Sequence, residues 1–215
     1  MVKNIDLILF DIDGTLVDSR EDVARAVNGT LEIMGREKKT TAEISLYIGL
    51  GMDILWRRVL NTNDGILTGK AVDLFTDYRH DHPHDSSVLY ANVESVLKHF
   101  SRQKKIIVSN RREEFSRMTL KALNIEKYFD DVIGPENIDC AKPSPYLLNE
   151  IITRHKARRA RAIMVGDMDV DVQAGKNAGI VTCAVTYGLG FREDIIKARP
   201  DFIIDHIIEL KDIIG

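Results

Sequence analysis

The chain has 215 residues, 44% of them hydrophobic and 29% charged, with a formal net charge of −3 at pH 7. That is an ordinary globular composition, long enough for one large core with a smaller inserted unit. It gives no global pull toward nucleic acid or an anionic membrane, and the apolar runs fall well short of the ~20 residues that span a bilayer. Cys140 and Cys183 stand apart and form no C-x-x-C pair, and Met1–Asp6 carries no apolar leader. The expectation is therefore a cytoplasmic protein with reduced thiols.

The first element is an apolar run, Ile5–Phe10, of the kind that forms a strand buried on both faces. Asp11 and Asp13 follow at its end, then Gly14 and Thr15. In open α/β sheets ligands bind outside the carboxyl ends of the strands, so both carboxylates are expected at the mouth of a site. Two such groups at ~4 Å repel by about 4 kcal/mol at an effective dielectric near 20, unless a cation or a proton intervenes.

After Leu16 the period becomes helical. Val23, Ala26, Val27, Thr30, Leu31 and Met34 share a face, with Ser19 placed as N-cap and Gly35 as stop. Thr41–Ile48, Met52–Leu60 and Lys70–His82 read as further helices, with Asn61–Gly69 as turn. The stretch from Ser19 to His82 is thus an all-α insertion. Asp81–Ser87 reads as the linker back. Around it His80, His82 and His84 flank Pro83 without a ligand frame at zinc spacing.

From Val93 helices alternate with strands. Helices are expected at Val93–Phe100, Glu113–Leu123, Ser144–His155 (Ser144 as cap, Pro145 as first residue) and Val170–Ala178. Strands are expected at Lys105–Ser109, Asp131–Gly134, Ala162–Val165, Val181–Val185 and Phe202–Ile204. That alternation predicts an α/β fold, a Rossmann-like parallel sheet with helices on both faces.

Three later segments suit the Asp11 site. Ser109-Asn110 ends a strand with a hydroxyl and backbone N–H groups, a means of holding a phosphate oxygen as well as a helix cap. Lys142 sits between Ala141 and Pro143 just before a helix, placed to neutralise phosphate and Asp11 together. Gly166-Asp167-Met168-Asp169-Val170-Asp171 repeats the opening logic, a buried strand running into acids that suit Mg²⁺. Arg57 and Arg58 lie near Gly49-Leu50-Gly51 and are candidates to meet a substrate carboxylate. The basic cluster Arg154, Lys156, Arg158, Arg159 and Arg161 reads as a solvated turn.

Together, Asp11-Ile12-Asp13-Gly14-Thr15, Ser109-Asn110, Lys142-Pro143-Ser144-Pro145 and Gly166–Asp171 resemble the motifs of the haloacid dehalogenase-like hydrolase superfamily. Their order agrees too, as does the helical insertion after the first block. The resemblance is nearest to phosphoglycolate phosphatase-like members with a helical cap. It implies a catalytic core over residues 1–16 and 84–215 and a cap over 17–83. It implies Asp11 as nucleophile, Asp13 as general acid and base, and Ser109 and Lys142 as holders of the phosphoryl group. Thr15, Asn110, Gly49 and Arg57 are expected at the substrate. Mg²⁺ is expected on Asp11, Asp13 (through its carbonyl), Asp167 and Asp171. The implied activity is a Mg²⁺-dependent phosphatase for a small phosphate ester, monomeric or homodimeric, without a nucleic-acid or membrane partner. A phosphomutase of the same superfamily and a phospho-accepting receiver stay open as alternatives. Ala91-Asn92, Arg111 and Met168 depart from the common pattern, where Pro-Gly, Lys and Thr or Ser are frequent.

Overall fold

The computed structural model describes residues 4–82 and 86–214. Pro83, His84 and Asp85, in the expected linker, lie outside the described residues. Six strands form one parallel sheet: β1 (Leu7–Phe10), β4 (Lys104–Val108), β5 (Asp131–Ile133), β6 (Ala162–Gly166), β7 (Val181–Val185) and β8 (Phe202–Ile204). Their order is β5-β4-β1-β6-β7-β8. β1 lies in the middle, with Leu9 paired to Ile106 on one side and to Met164 on the other. The chain builds outward from β1 through β4 and β5, then returns to its other flank with β6. The carboxyl end of β1 is thus a topological switch point, where crevices open.

All four β1 residues are buried, as its unbroken apolar run requires. Ile8 and Phe10 face one apolar cluster, with Val96, Leu97, Ile107, Ile163 and Leu210. Leu7 and Leu9 face the other, with Leu148, Ile151, Ile152 and Ala174. This alternation is the period-2 rule acting on a strand covered on both faces. α5 (Val93–His99) and α10 (Leu210–Ile213) cover the first face; α7 (Tyr146–Arg154) and α8 (Asp169–Asn177) cover the second. α6 (Glu113–Ala122) and α9 (Arg192–Ala198) complete the layers.

Between β1 and α5 lie four helices: α1 (Arg20–Ile33), α2 (Thr41–Ser45), α3 (Met52–Val59) and α4 (Gly65–Asp81). They bury a separate cluster that includes Val27, Leu31, Ile44, Trp56, Ala71 and Phe75. Gly29 lets α1 and α4 approach closely: a Cβ there would stand 2.1 Å from the Tyr78 ring. α4 begins at Gly65, earlier than the expected Lys70, because Asp64 caps it by accepting from the Ile66 and Leu67 N–H groups. α2 is shorter than its periodicity suggests and ends at Ser45, although Thr40 and Glu43 form a capping box at its start. α7 starts at Tyr146 with Pro145 as its cap residue, one position later than expected.

A two-stranded antiparallel ribbon, β2 (Val17–Asp18) with β3 (Val88–Leu89), joins the four helices to the sheet. Strands of two residues carry too little pattern to be read from sequence. Among the described residues, no helix is long and apolar enough to cross a membrane.

Candidate active site

The chain leaves β1 into a tight turn that buries Asp11, Asp13 and Thr15. The turn is closed by the Leu16 and Val17 N–H groups donating to the Ile12 carbonyl and by Gly14 N–H donating to Val17. Gly14 has φ +87°, and a Cβ on it would lie 2.2 Å from Asp167 Oδ2. Only glycine both adopts that backbone and lets Asp167 come so near.

Asp11, Asp167 and Asp171 converge. One oxygen from each lies within 4.8 Å of the other two, and all three residues are buried. Lys142 reaches them from the loop before α7. Its Nζ donates to Asp11 Oδ1 and Asp171 Oδ1, each at 2.6 Å, and to the Val108 carbonyl at 2.8 Å. Burial alone pulls that ammonium down, but Asp11 and Asp171 outweigh it and hold Lys142 charged above its usual range. Asp11 moves the other way. Burial pushes it well above the ordinary carboxylate range; Lys142 opposes this, and Asp171, Asp167 and Asp13 add to it. Asp167 is pushed up to about 7 by burial and then by Asp171, against hydrogen bonds from Leu189, Thr15 and Gly190.

Those bonds define Asp167. Its Oδ1 accepts from Thr15 Oγ1 at 2.8 Å, and its Oδ2 accepts from Leu189 N–H at 2.7 Å and Gly190 N–H at 3.2 Å. Thr15, expected at the substrate, meets Asp167 and orients that carboxylate. Three buried acids with a single shared ammonium form an all-oxygen donor set short of positive charge, which fits Mg²⁺.

Asp13 faces elsewhere. Its Oδ1 accepts from Ser19 Oγ at 2.5 Å and from Arg111 Nη2 at 2.5 Å. Ser19 precedes α1 without making a cap bond, because its hydroxyl turns to this carboxylate. The Asp13 carboxylate is therefore not part of the three-acid cluster. The expected ligand there was the Asp13 carbonyl.

Ser109 Oγ accepts from the Arg111 N–H at 3.1 Å. The Asn110 side chain is a clamp: Oδ1 accepts from Lys142 N–H at 2.7 Å, and Nδ2 donates to the Lys142 and Gly49 carbonyls at 3.0 and 3.1 Å. One amide thus holds the lysine loop and the helix-borne loop together. Gly49 and Gly51 have φ of +86° and +94°, and a Cβ on Gly49 would lie 2.6 Å from Met168 Sδ. The loop closes over the sheet edge because its glycines permit both.

Between that loop and the sheet lies a cavity of about 40 Å³. That is more than the ~10–15 Å³ a single water needs, so it has room for a small group. Val23, Ile48, Leu55 and Phe75 give it apolar walls, and Asp13, Asn110, Arg79 and Arg111 bring polar groups. Arg57 and Arg58 are not there. Leu55, Trp56 and Val59 take the buried face of α3, and the helical period turns both arginines to solvent. The cavity's cations are Arg111, from the loop after β4, and Arg79, which pairs with Asp22 Oδ2 at 2.6 Å while Ser87 donates to the same oxygen. Arg79 sits in the helical period of α4 and Arg111 directly follows the Ser-Asn pair, but both read as surface charges until the helices are folded over the sheet.

The sequence model of one family, the haloacid dehalogenase-like hydrolases, matches residues 8–185. The chain belongs to this family. Relatives named phosphoglycolate phosphatase occur in Vibrio parahaemolyticus (33% identical, over 99% of this chain and 97% of the relative) and Vibrio vulnificus (34%, over 99% and 97%). The crystal structure of a "predicted phosphoglycolate phosphatase" from Haemophilus somnus superposes with a TM-score of 0.89 at 25% identity, covering 97% of each chain. A phosphatase from Clostridium acetobutylicum, also styled "predicted", shares the fold with a TM-score of 0.87 at 23% identity. By its family and these relatives the chain is a hydrolase of the phosphatase class.

Proposed function

We propose that this hydrolase is a Mg²⁺-dependent phosphatase of small, phosphoglycolate-like phosphate esters. In this reading it works through an aspartyl-phosphate on Asp11, with residues 17–83 as a cap over a core of 1–16 and 84–215, acting in the cytoplasm as a monomer or homodimer. The observation that carries it is Lys142 Nζ at 2.6 Å from both Asp11 and Asp171 beside a third buried acid. A fixed ammonium against the attacking carboxylate is the preorganised charge that a transferring phosphoryl group needs.

Asp11 attacks phosphorus, and the ester oxygen leaves with a proton from Asp13, which lines the cavity where a leaving group fits. Asp13 then takes a proton from the water that hydrolyses the acyl-phosphate. Ser109 and the Asn110 N–H bind the phosphoryl oxygens, with Lys142 neutralising their charge. Asp11, Asp167, Asp171 and the Asp13 carbonyl would hold Mg²⁺, which supplies positive charge to the transferring group. The Gly49–Gly51 loop excludes water. The activity for which the relatives are named and the small cavity favour a short carboxylated ester. A receiver reading has no comparable support, because the acids follow a central first strand and lie under helices.

The test is phosphate release from a panel of small phosphate esters with Mg²⁺ or chelator. Turnover with Mg²⁺ that disappears in Asp11→Asn supports the reading. Robust hydrolysis by purified Asp11→Asn would overturn it.

A further inference from the structure

Arg111 has a place that the phosphoryl chemistry leaves unexplained. Its side chain is one-tenth exposed, lines the cavity and meets Asp13 at 2.5 Å. Its Nη1 also donates to Thr119 Oγ1 on α6 at 2.9 Å, which fixes the plane of the guanidinium. A guanidinium has five N–H donors. Among the described residues its side chain directs one to Asp13 and one to Thr119.

Arg79 adds a second buried cation to the same cavity. Burial and then the like charge of Arg111 pull it below its usual range. Around them stand apolar walls, including Phe115, whose ring lies 5.9 Å from the Arg79 guanidinium carbon. The two guanidiniums, each facing a carboxylate (Asp13 and Asp22), act on an anion more strongly against these apolar walls than they would at the open surface. Asp13 holds the place of that anion beside Arg111.

We infer that Arg111, backed by Arg79, is the specificity-determining residue for a carboxylate on the leaving group of the substrate. The inference rests on the phosphatase reading and deepens it. Under that reading Asp13 must reach the ester oxygen. A carboxylate attached one carbon beyond that oxygen then comes within reach of the guanidinium that Asp13 contacts. The planar fork of arginine matches a carboxylate, and a lysine at this position would offer only a point charge. The cavity is small, which favours short carboxylated alkyl phosphates.

The experiment separates this inference from the phosphatase reading by using both binding and turnover. Titration calorimetry with Mg²⁺ present measures 3-phosphonopropanoate, which carries the carboxylate, and propylphosphonate, which lacks it. In parallel, kcat/KM is measured on 2-phosphoglycolate and ethyl phosphate. The proteins are wild type, Arg111→Met and Arg111→Lys. The wild type is expected to prefer the carboxylated member of each pair by roughly ten- to hundredfold, the range for a charge-assisted hydrogen-bond pair. Arg111→Met should erase most of that preference, chiefly through Kd and KM, and Arg111→Lys should restore part of it. If the preference survives in Arg111→Met, or the wild type never has one, Arg111 is not the carboxylate anchor. If the binding preference follows Arg111 but no ester is hydrolysed, the phosphatase reading fails, and with it the leaving-group assignment, leaving Arg111 only as a carboxylate-binding residue.

Discussion

Lys142 and Asp11, separated by 131 residues in the chain, meet in a 2.6 Å contact between Nζ and Oδ1 that is almost wholly removed from solvent. The same ammonium holds Asp171 at the same distance. It is the only side-chain cation bonded to the three-acid cluster among the described residues, so the cluster depends on it for charge balance.

Lys142→Met tests that dependence. Removing one partner of a buried ion pair costs about 3–5 kcal/mol. The variant should melt well below wild type in chelator at pH 8. The gap should narrow at pH 5, where the acids accept protons in place of the lost ammonium. Added Mg²⁺ should raise its Tm by more than it raises that of wild type. A uniform loss at both pH values, unresponsive to Mg²⁺, would make Lys142 a packing residue only.

Wild-type stability in chelator should fall as pH rises from about 4 to 7. Burial and Asp171 raise Asp167 in the fold from an ordinary 3.8 to about 7. The folded state then binds more protons than the unfolded chain within this window, and the slope of stability with pH is negative. The contribution is complete below the unfolded value and lost once pH passes the folded one. Asp11, raised by burial, acts in the same direction. Thermal melts across the window check the sign, and saturating Mg²⁺ should flatten the slope.

Asp167→Asn should have two opposite effects. An asparagine can keep the contacts: its Oδ1 accepts from Leu189 and Gly190 N–H, and its Nδ2 donates to Thr15 Oγ1, whose hydroxyl can turn. The variant should therefore melt above wild type in chelator, having lost a repelling charge, and gain less from Mg²⁺, having lost a ligand. Wild type should gain about 2.7 kcal/mol at Mg²⁺ a hundredfold over Kd. A destabilised variant with the full Mg²⁺ shift would relegate Asp167 to a structural acid.

Gly29→Ala should loosen the four-helix layer with no change in the acids. The new methyl would stand 2.1 Å from the Tyr78 ring, and overpacking of this kind costs typically ~1–3 kcal/mol. Tm should fall, and protease cleavage within residues 20–81 should precede cleavage of the sheet. A Tm equal to wild type would mean that α1 and α4 can separate freely.

Much of this was legible before folding. The apolar run of β1 and the acids at its end specify a central strand and a site, because a buried strand and a charged terminus have few other solutions. Lys142, Asp167 and Asp171 could be named from the residues flanking strands. What stayed hidden depends on contacts between distant elements. Thr15 binds Asp167 across 152 residues, and nothing local to Thr15 announces that partner. Ser19 looks like a cap and turns to Asp13. Arg57 and Arg58 follow the Gly49–Gly51 loop in sequence, yet the period of α3 points them outward, while Arg79 and Arg111 reach the cavity from elements far apart in the chain.

The placement of β1 also orders events during synthesis. The strand spans residues 7–10, but its sheet neighbours begin at residues 104 and 162. At 5–20 residues per second the ribosome needs roughly ten to thirty seconds to supply the second neighbour. The four helices can pack meanwhile, since their contacts are local. Asp11, first of the clustered acids to be made, is therefore among the last to be fixed. A nascent chain stalled before β6 would carry Asp11 on a half-paired strand with no Asp167 or Asp171 beside it, and the three-acid cluster could not form.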